Sequence, residues 1–292
     1  MPSIQNFFTH FLSVFDTNLN SYFKANSSQH KLHKPGNPES NAAFFKPNEF
    51  VEIYKTSVFK KNDLGIFREA KLIPPVDLLA INSEDGSTFN TADLSKDKIG
   101  KAIRQGYSIK INEIQRWSPK LLSFAQLISD NTSLRASFNA YYTPANETCF
   151  KAHKDNQWIF IFQISGKKRW YLGTNSEDAT KNSTTFILEA GDILFIPKGM
   201  SHFAEAVETS SLHITLALVT HRLDDYISHI LNLPEITHLA KAELSTNEEA
   251  RLKHIKTFTN IFTDKLNNVK VISEYCKGVP YLYDDSDDLF KF

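Results

Sequence analysis

Cysteine is scarce in this chain, with only Cys149 and Cys276 among 292 residues. Two cysteines do not build a disulfide scaffold; they fit a reducing compartment, and a cytoplasmic location is the expectation. No run of about 18 apolar residues occurs, so nothing reads as a membrane span. The first residues lack a basic stretch followed by an apolar core, and no secretory signal is expected. Neither charge sign is in excess, since Lys+Arg and Asp+Glu stand at 33 each. A general electrostatic attraction to nucleic acid is therefore not expected. There is no Gly-rich phosphate loop, no CxxC pair, no GxSxG elbow and no internal repeat. What remains is an ordinary globular balance, 41% hydrophobic and 23% charged, on a length that suits one large domain or a domain with an appendage.

The chemistry concentrates in one stretch, Asn139 to Trp170, and in the segment that follows it. His153-Lys154-Asp155 places an imidazole and a carboxylate two residues apart. In an extended strand such residues share a face. His202 comes later, in GDILFIPKGMSHF. Two histidines and one carboxylate on one side of a metal is the facial triad of non-haem Fe(II) oxygenases. A bare HxD is weak, but its context is informative. Trp158 to Ile164 is a β-prone run, apolar apart from Gln163. Gly166 supplies a turn, and Lys167 to Leu172 reads as a returning strand. Phe186-Ile187-Leu188 and Ile193 to Ile196 read as a second hairpin-like unit around Gly191-Asp192, and Ser211 to Thr220 as a further strand. Short strands with Gly/Pro turns suggest a double-sheet jelly roll of the cupin type. By parity His153, Asp155, Gln157, Ile159, Ile161 and Gln163 share the inner face. Lys168, directed into such a barrel, needs an anion, because an unpaired buried ammonium is costly; a dicarboxylate ligand would supply one.

The motifs resemble those of the JmjC/cupin family of Fe(II)- and 2-oxoglutarate-dependent oxygenases, in the ribosomal-protein hydroxylase branch. They are N-x-Y-x-T-P from Asn139, H-x-D at His153, Q-x-x-G-x-K-x-W from Gln163, G-D-x-L-x-x-P-x-G-x-x-H from Gly191 to His202, and S-x-H-x-T from Ser211. The likeness covers about Lys101 to His221. It implies that His153, Asp155 and His202 are the iron ligands and catalytic residues. It implies that Lys168 and Tyr141 hold the distal carboxylate of 2-oxoglutarate, and that Asn139 and Thr215 are further pocket positions. Two residues depart from the family pattern: Lys154 inside the HxD, and Ile159, where the related asparaginyl hydroxylase carries a polar residue. The implied reaction is hydroxylation of a C–H bond, coupled to decarboxylation of 2-oxoglutarate with O2, on an amino-acid side chain of a protein or peptide. The presence of Asp155 speaks against halogenation.

Other readings stay open at this point. They are tailoring of a small peptide or amino acid, N-methyl demethylation, a non-catalytic metal-binding cupin, and a zinc-dependent isomerase. His213 is read evenly as a pocket or a core residue.

The expected fold is α+β with a mainly β core: a double-stranded β-helix barrel buttressed by N-terminal helices. Residues 1–221 form the oxygenase domain, with helices within 1–135 and the barrel core at about 107–221. Residues 222–292 form a helical appendage for homodimerisation or for closing the site, with simple packing on the barrel as the alternative. Helices are expected at residues 3–24, 48–59, 94–105, 118–131, 223–231, 234–244 and 247–266. A strand is expected at 269–275, and loops at 27–41 and 82–88. The acidic tail at 284–288 reads as solvated.

Overall fold

The computed structural model describes residue 11 and residues 32–35, 44–84, 87–132, 134–173 and 183–276. The expected helix at 3–24 lies outside these residues except for Phe11, which is helical and buried. The acidic tail lies outside them entirely. The described residues gather into two compact units, one drawn from 1–127 and 136–218, the other from 128–135 and 219–292.

In chain order the elements are β1 (Leu32–Lys34), α1 (Pro47–Thr56), β2 (Leu64–Arg68), β3 (Lys71–Leu72), β4 (Leu79–Glu84), β5 (Ser87–Leu94), α2 (Lys96–Arg104), β6 (Ser108–Ile111), α3 (Pro119–Thr132) and β7 (Arg135–Thr143). There follow β8 (His153–Lys154), β9 (Trp158–Ser165), β10 (Lys168–Gly173), β11 (Thr184–Leu188), β12 (Ile193–Ile196), β13 (Ser201–Ala206) and β14 (Ser211–Val219). The helices α4 (Leu223–Leu231), α5 (Pro234–Ala240), α6 (Glu248–Asn267) and α7 (Val269–Cys276) complete the series.

The first unit holds two sheets that matter for the site. The larger runs β1-β12-β9-β14-β7-β6-β2-β3, the smaller β11-β10-β13-β8. Side chains from both meet in one cluster, with Ile159, Ile161, Leu194 and Ala217 from the larger sheet against Trp170, Leu172, Leu188 and Ala204 from the smaller. This is the double-stranded β-helix of the jelly-roll type. Alternation sorts β9 cleanly. Ile159 and Ile161 face the second sheet, while Phe160 and Phe162 face away. There Phe160 meets Phe11 at 5.3 Å between ring centroids, and Phe162 meets Phe44 at 4.7 Å. Phe124 of α3 meets Phe11 at 5.6 Å, so helical residues cover the outer face of the larger sheet.

Two expected hairpins are instead sheet crossings. β9 pairs with β12 and β14, and β10 pairs with β11 and β13, so the chain changes sheets at Gly166. Gly166 has φ +68, and a Cβ there would lie 1.9 Å from the Ser210 carbonyl oxygen. That turn therefore requires glycine. The chain crosses back between β11 and β12 through Gly191-Asp192 for the same topological reason.

Other boundaries moved. β1 occupies part of the expected loop, because its backbone pairs with β12 at the sheet edge. Strands β4 and β5 pair with each other where a loop was expected, and Leu94 ends β5. Helix α2 starts later, where the Ser95 hydroxyl accepts from Lys98 N–H. Helix α1 begins at Pro47, a residue suited to the first helical position.

In the second unit the expected strand at 269–275 is helix α7. The Asn268 side chain accepts from the N–H groups of Lys270 and Val271, which starts a helix. Val271 and Tyr275, four residues apart, then pack on Tyr226, Ile230 and Ile236. Asn247 caps α6 through Ala250 N–H.

Candidate metal centre and the buried lysine beside it

His153 on β8 and His202 on β13 are direct cross-strand partners, and their rings lie 4.5 Å apart. Asp155 follows two residues after His153. Its Oδ1 is 3.7 Å from His153 Nε2, and its Oδ2 is 3.6 Å from His202 Nε2. The three side chains each offer one ligand atom, all within 4.8 Å of one another. The sequence positions Asp155 through a turn: Gly199, with φ +80, donates its N–H to the Asp155 carbonyl at 2.8 Å. Pro197 and Gly199 thus bring the start of β13 against the HxD.

Both imidazoles are oriented in the same way. His153 Nδ1 lies 2.8 Å from the Lys151 carbonyl, and His202 Nδ1 lies 3.0 Å from the Met200 carbonyl. A carbonyl only accepts, so each Nδ1 carries the proton and each Nε2 lone pair is directed to the cluster. Burial, then the neighbouring His153, holds the His202 pKa below its ordinary value and keeps that ring neutral. Two imidazole nitrogens and a carboxylate oxygen form a donor set for a divalent transition metal, with coordination positions left open.

The cluster opens into a cavity of about 440 Å³, part of it continuous with solvent. Trp170 forms a wall, with its ring 6.2 Å from that of His202 and 5.3 Å from that of His213. Beyond it lies Lys168, 2% exposed. Its ammonium donates to Thr143 Oγ1 at 2.8 Å and lies 3.4 Å from His213 Nδ1. Burial lowers the Lys168 pKa to about 8, opposed in part by the Cys149 thiol. His213 is held well below its usual value by burial and then by Lys168, so it stays neutral. The Tyr141 ring stacks on His213 at 4.7 Å and 4°. Burial pushes the Tyr141 hydroxyl pKa up, and Asn139 hydrogen-bonds to that hydroxyl.

The structure therefore brings His153, Asp155 and His202 together, and Lys168, Tyr141 and Thr215 line the same cavity. Asn139 does not line it; its Oδ1 accepts from Glu113 N–H at 3.0 Å. Ile159 lines it as an apolar wall, and Lys154 is exposed. His213, read evenly from sequence, belongs to the cavity. Thr143 and Trp170 stood in the sequence only as motif positions, and Cys149 only as one of two cysteines; none was read as a pocket residue. For Thr143 a signal existed: it shares parity with Tyr141 on β7. The buried indole N–H of Trp170 has no hydrogen-bond partner among the described residues, so a polar group within the cavity would satisfy it.

Comparison with known proteins agrees with this geometry. Residues 111–226 match the JmjC domain family. That segment resembles a JmjC domain. The match begins in β6 and ends in α4, so the JmjC segment contains the cluster and Lys168. The bifunctional lysine-specific demethylase and histidyl-hydroxylase NO66 of Dictyostelium discoideum is 28% identical over 152 residues, which is 46% of this chain and 30% of that protein. Ribosomal oxygenase 1 of Rattus norvegicus is 29% identical over 146 residues, 44% of this chain and 24% of that protein. The chain thus spans less than a third of the length of these curated relatives. Among solved structures, YcfD, a ribosomal oxygenase from Escherichia coli, overlays with a TM-score of 0.50 at 14% identity, over 89% of this chain and 69% of that one. At that identity the likeness is one of fold.

Proposed function

We propose that this protein is an Fe(II)- and 2-oxoglutarate-dependent oxygenase that hydroxylates a C–H bond of an amino-acid side chain in a protein or peptide. The observation that carries the proposal is Lys168. Its buried ammonium meets only neutral partners, Thr143 and His213, and no carboxylate among the described residues. Such a group is costly unless an anion joins it. A non-catalytic metal-binding cupin has no use for it, whereas a dicarboxylate cosubstrate does.

In this reading His153 Nε2, Asp155 and His202 Nε2 hold the iron. Lys168 holds the far carboxylate of 2-oxoglutarate, assisted by Tyr141, with Thr215 beside it and Asn139 holding the Tyr141 hydroxyl. When bound, iron and 2-oxoglutarate supply oxygen activation coupled to decarboxylation, which yields succinate and CO2. The chain's own residues do the rest. The two Nδ1–H···O=C bonds fix the imidazoles in the ligating tautomer. Lys168 orients the cosubstrate by charge. Ile159, Ile161 and Trp170 keep that side of the cavity dry, which strengthens the charge contact. Asp155 occupies the position that a halogenase would leave for halide.

The relatives support the reading: two carry oxygenase or hydroxylase in their names, and the E. coli ribosomal oxygenase was also solved with cobalt and 2-oxoglutarate. We assign catalysis to residues 1–221 and treat 222–292 as a helical appendage. Exposed Leu252 and Ile255 on α6 and Val269 and Ile272 on α7 suit a homodimer contact. Two cysteines support a cytoplasmic location, and no described helix is long and apolar enough to cross a membrane.

Anaerobic titration of the apoprotein with Fe(II) and 2-oxoglutarate tests the proposal. We expect a visible metal-to-ligand charge-transfer band that Lys168→Ala removes at equal 2-oxoglutarate. Iron binding without the band would return the chain to the metal-binding cupins.

A further inference from the structure

We infer that Lys110 and Ser108 form a second anion-recognising subsite, which holds an Asp or Glu side chain of the substrate peptide next to the residue that reacts. This rests on the oxygenase reading and narrows its substrate class.

The backbone register places Lys110 on the cavity face. Gly65 of β2, Lys110 of β6 and Tyr141 of β7 form one row of Cα partners across the larger sheet. Residues in such a row point to the same side. Tyr141 lines the cavity, so Lys110 and, two residues earlier, Ser108 face that side too. Gly65 contributes no side chain to the row, and the Phe67 ring folds over it; a Cβ there would lie 2.7 Å from that ring. Phe67 meets Phe150 at 4.6 Å, and Phe150 lies 5.5 Å from the His153 ring. The Lys110 ammonium sits 5.7 Å from the Tyr141 ring centroid and 5.9 Å from that of Phe150. An aromatic niche thus holds a cation beside the metal cluster.

The Tyr141 and Phe150 rings and the field of Asp155 act on that cation. Among the described residues its ammonium has neither a hydrogen bond nor an ion pair. The hydroxyl of Ser108, 1% exposed, also lacks a hydrogen-bond partner among them. A buried polar group without a hydrogen-bond partner is uncommon, and Ser108 with the half-buried Lys110 cation on the same strand face marks a place for a ligand. The niche shares the Tyr141 ring with the cosubstrate position, whose anion Lys168 takes. One ammonium and one hydroxyl between aromatic walls match a planar, singly charged carboxylate; a phosphate needs more donors. The exposed lysines near the cluster in sequence, Lys151, Lys154 and Lys198, add repulsion toward a basic segment. The substrate is therefore acidic around its reacting residue, unlike a typical basic nucleic-acid-binding segment.

The test uses the full chain with Fe(II) and 2-oxoglutarate and two pools of short acetylated peptides. The pools are varied at the centre and flanked in one by Asp and Glu, in the other by Lys and Arg. Hydroxylation is read as the mass gain of one oxygen. We expect the acidic pool to react about tenfold more, a difference of about 1.4 kcal/mol. Lys110→Met should erase the preference, Lys110→Glu should invert it, and Ser108→Ala should reduce it. The charge-transfer band with 2-oxoglutarate, retained in these variants, shows that the fold and the cosubstrate position are intact. A basic preference, no preference (including no reaction of either pool) or a preference unchanged in Lys110→Met and Ser108→Ala overturns the inference. Loss of the band in the unaltered protein would instead overturn the oxygenase reading itself.

Discussion

The side chains of His153 and Asp155 are 38% and 36% exposed, while Lys168, across Trp170 in the same cavity, is 2% exposed. The exposed end is held by short local contacts, each imidazole against the carbonyl two residues before it. The buried end is held by contacts between distant strands, β10 to β7 and β10 to β14. The two ends also carry opposite stability costs. A cluster whose carboxylate reaches solvent costs the apoprotein little. A buried ammonium with neutral partners costs it a good deal. In the proposed reading, the end that exchanges metal, oxygen and substrate is built for access, and the end that selects a dicarboxylate is built for selection.

The sharpest way to break this contrast is to remove a proposed metal ligand at the open end. Asp155→Ala or His202→Ala should reduce 2-oxoglutarate turnover by more than about 100-fold, since losing even an outer-shell partner of a ligand costs about 10–100-fold. The melting temperature of the Asp155→Ala apoprotein should barely move, because its carboxylate is exposed and forms no close ion pair without metal. Succinate release and a thermal melt on the same samples measure both. Turnover within tenfold of the unaltered protein would remove the cluster from the mechanism.

Lys168→Met should do the reverse and stabilise the apoprotein while abolishing 2-oxoglutarate binding. The sign follows from linkage. The folded pKa is lowered from 10.5 to about 8, so the unfolded chain binds more protons between those values, and stability rises with pH across that window. Below about pH 8 the ammonium carries its full cost, about 3 kcal/mol. Removing it should therefore stabilise by about 1–3 kcal/mol at pH 7, less the hydrogen bond it donates to Thr143, with the advantage fading as pH rises toward 10.5. Binding should show the complementary trend: affinity for 2-oxoglutarate in the unaltered protein should fall as pH rises through 8. Paired denaturant melts and calorimetric titrations at several pH values test both. A destabilised Lys168→Met that still binds 2-oxoglutarate would mean that the lysine is structural.

The two ends also differ in how legible they were. His153 and Asp155 could be read from sequence because period-two alternation is local, and Lys168 could be read as a cation entering a barrel. The contact partners of Lys168 could not. Thr143 and His213 lie on other strands, and which strands neighbour β10 depends on crossings at Gly166 and Gly191 that look like hairpin turns in sequence. The same ambiguity led to reading β9 with β10, and β11 with β12, as hairpins. Helix α7 was misread because Val269 to Tyr275 is β-branched and short. Its helical state comes from the Asn268 cap and from packing on Tyr226 and Ile230, neither of which periodicity reveals.

The smallest effect should come at the buried end, from Tyr141→Phe. The phenyl ring can keep the stack on His213, so fold and metal binding should be unchanged. What disappears is one hydroxyl, which hydrogen-bonds to Asn139 and faces the cosubstrate position in the proposed reading. A neutral hydrogen bond is worth about 0.5–1.5 kcal/mol net. The dissociation constant for 2-oxoglutarate should therefore rise by about two- to tenfold, well short of the loss at Lys168. Because burial raises its pKa, the Tyr141 hydroxyl stays protonated through neutral and mildly alkaline pH. The effect of Tyr141→Phe should accordingly be the same at pH 6.5 as at pH 9, while the affinity of both proteins falls together with Lys168. Calorimetric titration of the two proteins at both pH values is the measurement. A pH-dependent ratio would mean that Tyr141 and Lys168 do not act as separate donors but share one proton equilibrium, and the division of labour between charge and hydroxyl at that end would have to be redrawn.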